Sequence, residues 1–276
     1  MATVINIERM DEGYATILEY VLERGLRIAP RNQLTLEIPD VTIVLNNPKY
    51  ALPEKTGRKL RTAIGAVEAL QLLAGWQHPG LMLAASPGFG EFVEGGVFHG
   101  GYGVRLRAQL PKLIERLQQD NYTRRAVVTM WDPLHDLFVD DAKDYPCTLS
   151  LTFTIRDEQL IMHTYMRSND AWRGLPYDVF QFTQVQQAVA AVMDVECGEY
   201  VHHAVSLHLY ENDWPMAGNV KSVKEAQPVG ALVRPGSSWE TVQKVARELI
   251  ETGSVSHIAG INKETRTWYE ARLKGL

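Results

Sequence analysis

The spacing of apolar positions changes along the chain between a helical and a strand period, and the changes mark out the elements. Residues 11–25 (DEGYATILEYVLERG) put Tyr14, Ile17, Leu18 and Val21 on one stripe, and Gly25 suits the end of a helix. Residues 33–46 alternate and are rich in β-branched side chains, which predicts a strand with a break at Pro39–Asp40. Residues 55–75 read as an amphipathic helix ending at Gly75, and the glycine-rich stretch 77–103 as a mobile loop region beside a site. A helix over 104–119 and a strand over 125–131 follow. Residues 147–155 and 159–167 predict a hairpin around Arg156–Asp157. A largely apolar helix covers 176–194, a strand 199–209 and a last helix 238–252. Helices and strands mix without strict alternation, which predicts one α/β (α+β) domain over residues 1–276 with a mixed sheet.

Composition narrows the classes. The chain has 276 residues, 45% hydrophobic and 22% charged, ordinary for a globular protein with a substantial core. A formal net charge of −5 argues against a nucleic-acid binder but not against a nucleotide substrate, since one phosphate needs only a few local cations. The only cysteines are Cys147 and Cys197, too few for a disulfide scaffold. The acidic opening MATVINIERMDEGYA does not read as a signal peptide, and no apolar stretch is long enough to span a membrane. The expectation is a cytoplasmic protein with no membrane partner.

The chemistry concentrates in 146–182, PCTLSLTFTIRDEQLIMHTYMRSNDAWRGLPYDVFQF. Cys147 follows a proline at the start of one predicted strand and Arg167 ends the other, so a hairpin brings them close. A nearby guanidinium favours the reactive thiolate. Arg167, Ser168 and the pair Arg124–Arg125 can form an anion site, because arginine binds phosphate in bidentate fashion. On spacing alone the plainer reading stands beside this one: a small buried cysteine and a structural ion pair.

The strings themselves go further. PC, then YMRSND, then RGLPYD resembles the core signature of thymidylate synthases and pyrimidine nucleotide hydroxymethylases. The resemblance extends to NYTRRAVVTMWDP at 121–133, to Leu207–His208–Leu209–Tyr210, to the helix bearing Glu68 and to GGYG at 100–103, roughly residues 12–212 in all. It implies a thymidylate synthase-type fold, a homodimer through the sheet, a nucleotide monophosphate substrate and 5,10-methylenetetrahydrofolate as cofactor. Cys147 would add to C6 of the pyrimidine and make C5 a carbon nucleophile. Arg167, Ser168 and Arg31 would hold the phosphate, with Arg27 as the rival to Arg31. Arg124 and Arg125 would reach it from the partner subunit. Glu68 would organise water and proton transfers, and Tyr102 would help remove the C5 proton. His208 and Tyr210 would bind the sugar, and Asp170 would contact base and folate.

Departures from the family pattern bear on substrate and product. Position 178 is Asp where a uracil-specific synthase carries Asn. A carboxyl group accepts from cytosine N4–H₂ and, when protonated, donates to N3, so Asp178 points to cytosine as the base read. Its alternative role is a helix N-terminal cap after Pro176. Segment 77–103 has no Trp, the chain ends in the charged TRTWYEARLKGL, Thr148 follows the nucleophile and Met166 precedes Arg167. These favour water over hydride as the last reactant, because methylation demands exclusion of water. Ser168 tilts the sugar to deoxyribose. The expectation is a deoxycytidylate 5-hydroxymethyltransferase, in viral DNA modification or in a route to modified nucleosides. A folate-dependent C5-methyltransferase on dCMP or CMP is the alternative.

Other classes fit less well. A zinc hydrolase built on Cys197, His202, His203 and His208 matches no standard ligand spacing, and adjacent histidines on a strand face opposite ways, so no metal is expected. A catalytically silent nucleotide-binding homologue would lack the nucleophile or the anion site, and both are present. A single-stranded nucleic-acid binder would carry a basic stripe.

Overall fold

The computed structural model describes residues 3–256 and 258–276. The strands are β1 (Thr3–Ile7), β2 (Leu26–Ile28), β3 (Thr35–Leu45), β4 (Val93–Glu94), β5 (Val97–Phe98), β6 (Val127–Thr129), β7 (Thr148–Arg156), β8 (Gln159–Met166), β9 (Asn169–Asp170) and β10 (Glu196–Tyr210). The main sheet runs β1-β3-β10-β8-β7-β6, with β2 also pairing to β3 and β9 to β10. It is mixed: β1 lies parallel to β3 and β10 parallel to β8, whereas the β3–β10, β7–β8 and β6–β7 pairs are antiparallel. The expected hairpin forms, with its turn at Asp157–Glu158. Both turn residues have positive φ (48° and 59°), the two-residue turn that follows the twist of paired strands.

One correction concerns β3, which is continuous through Pro39 and Asp40 rather than broken. Its first part pairs with β2 and its last with β1, so the proline, which has no N–H to donate, falls where the neighbour changes. Asp40 takes the kink with φ 55°.

The two faces of the sheet differ. The rung Ile43–His202–Thr164–Leu151–Val128 is buried throughout. The next rung, Val4–Thr42–His203–Tyr165–Ser150–Thr129, lies on the opposite face. There Val4 is 59%, Val205 64% and Val127 45% exposed, an apolar surface that none of the described residues covers.

The helices are α1 (Met10–Arg24), α2 (Thr62–Ala74), α3 (Pro79–Ala85), α4 (Tyr102–Leu106), α5 (Gln109–Gln119), α6 (Pro133–Asp136), α7 (Leu175–Met193), α8 (Trp214–Ala217), α9 (Trp239–Thr252) and α10 (Lys263–Leu273). Helix α2 starts seven residues later than the periodicity suggests. It is not amphipathic: ten of its thirteen residues are buried, because it packs against α7, α9 and α10 at once. Helix α7 is likewise buried on nearly all faces. The predicted helix over 104–119 is two helices, α4 and α5, separated by Arg107–Ala108. Segment 77–103 is not a featureless loop. It holds α3, the β4–β5 hairpin and the first residues of α4.

The C-terminal residues, which matched no motif, close the back of α2 and α7. The Tyr269 phenol donates to Gln184 Oε1 at 3.0 Å, Trp268 packs on Phe180 with ring centres 5.1 Å apart, and the Arg247 guanidinium donates to the Ala74 carbonyl. No described helix is long and apolar enough to cross a membrane.

Candidate active site

Cys147 precedes β7, and the Arg167 amide donates to its carbonyl at 2.9 Å. Hairpin pairing therefore places Cys147 and Arg167 side by side at one end of β7 and β8, as their spacing predicts. The Arg167 guanidinium donates to the Pro146 and Tyr145 carbonyls at 3.0 and 3.4 Å and lies 5.8 Å from the Trp131 ring centre. Burial pushes the Cys147 thiol above its ordinary value. Arg167 acts in the opposite, expected direction but does not outweigh the burial, and Asp178 and Asp144 add to the rise. The free site thus holds a thiol, against the expectation from proximity to Arg167 alone.

Three more predicted residues face the same space. Glu68, from α2, is held well above the usual carboxyl range, first by burial and then by the charge of Asp178. Its Oε2 is shielded and has no hydrogen-bond partner among the described residues. Tyr102 opens α4, stacks on Phe182 at 5.8 Å and accepts the Thr148 amide at 3.3 Å. Asp178 sits in the first turn of α7. It is not the helix cap, a position that Gly174 occupies. Its Oδ2 accepts from Asn169 Nδ2 at 2.7 Å and its Oδ1 from Gln181 Nε2 at 2.9 Å. Burial nevertheless pushes it up to about 7. With Cys147 these side chains line a recess of about 220 Å³, walled on its apolar side by Trp76, Met82, Phe89, Phe92 and Phe98. The lack of Trp in 77–103 therefore does not leave the recess without an apolar wall.

The recess opens into a cleft of about 920 Å³ that Cys147, Glu68, Tyr102 and Asp178 also line. Arg31, Arg167, Ser168, Asp170, His208 and Tyr210 all border it. Arg31 sits in a left-handed turn (φ 52°), with Nη2 donating to the Tyr210 hydroxyl at 3.4 Å. Its rival Arg27 instead lies over Trp214 at 5.8 Å. Ser168 Oγ is 3.4 Å from His208 Nδ1. Asp170 Oδ1 accepts the Trp172 and Arg173 amides at 2.8 Å each, and its carboxyl is raised by burial. His208 is lowered, again by burial first.

Arg124 and Arg125 stand apart. Both are exposed just ahead of β6 and line neither space in their own chain. The four metal candidates are also dispersed. His202 is in the core, His203 lies on the outer face with its ring stacked 5.5 Å from that of His163, and His208 borders the cleft. No group of three or more potential ligands is placed to hold a metal among the described residues.

Sequence reasoning missed several residues here. Arg58 donates to the Tyr14 hydroxyl at 2.6 Å and lies 4.5 Å from the Trp172 ring centre. With Arg61, Lys143 and Arg173 it makes a second cationic border on the cleft. Arg173 opens the matched string RGLPYD, whereas Arg58, Arg61 and Lys143 lie in no quoted string, and only the fold brings the four together. Asn169 and Gln181 were inside the quoted stretch, but their contact with Asp178 depends on how β9 meets α7.

Residues 12–234 match the family model described as thymidylate synthase. The chain is 34% identical over 218 residues to the deoxyuridylate hydroxymethyltransferase of Bacillus phage SP01, covering 73% of this chain and 57% of that protein. The deoxyuridylate hydroxymethyltransferase of Pseudomonas phage M6 is 30% identical over 75% of this chain and 62% of its own length. A protein named putative thymidylate synthase from Methanothermobacter marburgensis is 27% identical over 80% of this chain and 98% of its own. The chain thus accounts for less than two thirds of either phage relative.

Proposed function

Because this chain belongs to the thymidylate synthase family, we propose that the cleft is the active site of a one-carbon transferase acting at C5 of a pyrimidine deoxynucleotide monophosphate, with dCMP as substrate and a hydroxymethyl group as product. The observation that carries this reading is the convergence of Cys147, Glu68, Tyr102 and Asp178 on one recess that opens into an arginine-bordered cleft. Phosphate binds at Arg167, Ser168 and Arg31, because guanidinium groups and a hydroxyl supply the donors that its oxygens need. His208 and Tyr210 border the sugar. The Cys147 thiol must lose its proton before it can add to C6, and burial opposes that loss. Substrate phosphate neutralises the nearby arginines, so the remaining activation comes from placing C6 against sulfur in a near-attack geometry. Addition at C6 moves an electron pair to C5. Once C5 has bonded to the one-carbon unit, Tyr102 takes part in removing the C5 proton, and Glu68, which burial holds toward its protonated form, holds water and passes protons through its free oxygen.

The cofactor that fits is 5,10-methylenetetrahydrofolate. Trp76, Phe89, Phe92 and Trp172 offer faces for a pterin, and Arg58, Arg61 and Lys143 offer charge for an anionic glutamate tail. It supplies the one-carbon unit at the oxidation level of formaldehyde. Water as the last reactant suits a recess in which Glu68, Gln71, Gln181 and Asp178 are polar against the aromatic wall.

Asp178 reads the base. As a neutral acid it accepts from N4–H₂ of cytosine and donates to N3. A second reading takes dUMP as substrate, and it is favoured by the name of the two phage relatives, deoxyuridylate hydroxymethyltransferase. The test is side-by-side kcat/KM on dCMP and dUMP for the wild type and for Asp178→Asn. The wild type should prefer dCMP, and the variant should lose more turnover than affinity on dCMP and gain activity on dUMP. A wild type that prefers dUMP establishes the second reading, and an unchanged ratio removes Asp178 from base recognition.

The protein acts as a homodimer in this reading. The uncovered sheet face carrying Val4, Tyr165 and Val205 receives a second copy, and the exposed Arg124 and Arg125 at its β6 edge complete the partner's phosphate site.

A further inference from the structure

Behind Asp178 lies a buried chain of hydrogen bonds. Tyr200 Oη is 2.8 Å from His202 Nδ1, His202 Nε2 is 2.9 Å from Asn169 Oδ1, and Asn169 Nδ2 is 2.7 Å from Asp178 Oδ2. Tyr200 and His202 are inaccessible and Asn169 is 3% exposed, so no solvent can reorient a member of the chain. The same fold that lays β9 beside β10 stacks these three side chains on the core side of the sheet, directly behind the first turn of α7.

The proton order along the chain follows from chemistry. Burial lowers His202 to about 3, so it is neutral and carries a single N–H. A phenol is a better donor than acceptor, and an imidazole nitrogen accepts better than a phenol oxygen. The Tyr200 O–H therefore donates to Nδ1, which leaves the ring proton on Nε2. That N–H donates to Asn169 Oδ1, so the Asn169 amide nitrogen must face Asp178, and Asp178 Oδ2 must accept. The reverse order would turn Asn169 Oδ1 toward a carboxyl oxygen and require that oxygen to hold a proton.

A neutral carboxylic acid by itself reads either base. Donating to N3 while accepting from N4–H₂ suits cytosine, and accepting from N3–H while donating to O4 suits uracil. The two differ in which oxygen carries the proton. Building on the assignment of Asp178 as the base reader, we propose that Asn169, oriented by His202 and Tyr200, is a positioning residue that confines the Asp178 proton to Oδ1 and so gives the base-reading edge a single polarity. Pyrimidine choice then belongs to the Asn169–His202–Tyr200 chain as much as to Asp178. The ionisable groups that act on Asp178 or feel it are Glu68 from α2, Tyr102 from α4, Cys147 ahead of β7, Asp170 from β9 and Tyr200 from β10. All are acids. None supplies a positive charge that could fix the proton instead. Gln181 Nε2 also donates to Oδ1, at 2.9 Å, but its amide makes no second side-chain hydrogen bond among the described residues, so nothing fixes which end it presents, whereas His202 fixes the Asn169 amide from behind.

Asn169→Leu keeps the approximate size and removes both polar ends. It should lower the ratio of kcat/KM between the preferred and the disfavoured pyrimidine nucleotide at least tenfold. It should also move the basic limb of kcat/KM to higher pH, since Asp178 loses a donor that favours its charged form. A proportional loss on both nucleotides with an unmoved pH limb makes Asn169 merely structural and overturns the proposal. Asp178→Asn in the same assay separates the two claims. If it leaves the nucleotide ratio unchanged, base reading by Asp178 fails; if it changes the ratio and Asn169→Leu does not, only the present proposal fails. A measurement on the wild type needs no variant to fold. The ¹⁵N shifts of the His202 ring should give the Nε2–H tautomer at neutral pH, and the Nδ1–H tautomer would overturn the proton order.

Discussion

At the scale of single residues, the site depends on groups held away from their ordinary protonation states. Cys147→Ser should reduce turnover on the order of 10³-fold or more. Nucleotide binding should stay within about tenfold, about 1.4 kcal/mol, because the phosphate and base contacts remain. Exchange of the C5 hydrogen should vanish as well, and a variant that still exchanges it has another nucleophile. Asp178 makes a different prediction, about stability. Its folded value, about 7, lies above the ordinary carboxyl value of 3.8, so between those limits the folded state binds more protons than the unfolded one. The wild type therefore loses stability as pH rises from about 4 to 7, and Asp178→Asn, which does not titrate, escapes that loss. Urea unfolding at pH 5 and pH 8 should show the difference between variant and wild type moving in the variant's favour at the higher pH, by on the order of 2–4 kcal/mol. A difference independent of pH would mean that Asp178 is not raised. These residues were legible because they lie in short strings whose order the sequence preserves. Asn169, Gln181 and Arg58 were not, since each acquires meaning from a partner that only tertiary packing supplies.

Among the elements, close approaches hold the recess together. A Cβ on Gly103 would come within 2.1 Å of the Trp76 carbonyl oxygen and 2.3 Å of that of Gln71, both backbone atoms that cannot swing aside. Gly103 is therefore what lets α4 seat against the end of α2 and aim Tyr102 at Thr148. Gly103→Ala should destabilise by about 1–3 kcal/mol and lower kcat more than it weakens nucleotide binding. Urea unfolding and steady-state kinetics check both parts, and an unchanged protein would mean that α4 is free to shift. The hairpin, α1, α7, α9 and β10 were readable because their periods run over eight or more residues. The short β1, β2 and β9 give too few positions for a period to register. Helix α10, whose polar residues outnumber its apolar ones, carries only Trp268, Tyr269 and Leu273 into the core along with Thr265. The expectation of an amphipathic α2 fails because α7, α9 and α10 cover it on several sides, burying even Gln71.

For the whole molecule, the sheet has one face under helices and one that none of the described residues covers, and two arginines lie outside their own cleft. In the proposed homodimer a second copy answers both. Mixing Arg125→Ala subunits with Cys147→Ser subunits should restore activity that neither variant has alone, because one site in each heterodimer then keeps both its nucleophile and the partner's arginine. Proven exchange of subunits without any gain would place the arginines in cis or outside catalysis. The sequence motifs implied this assembly, but the uncovered face became visible only once the strand register was known, since a shift of one residue would exchange the two faces. The central claim remains chemical: Cys147 and Asp178 direct a one-carbon unit to C5 of dCMP, and water completes the reaction. Mass spectrometry of the nucleotide product, with dCMP, dUMP or CMP supplied beside 5,10-methylenetetrahydrofolate, tests it directly. The account predicts a gain of one CH₂O unit on dCMP, with little product from the other two. A gain of CH₂ instead, or product formed chiefly from dUMP, would contradict it.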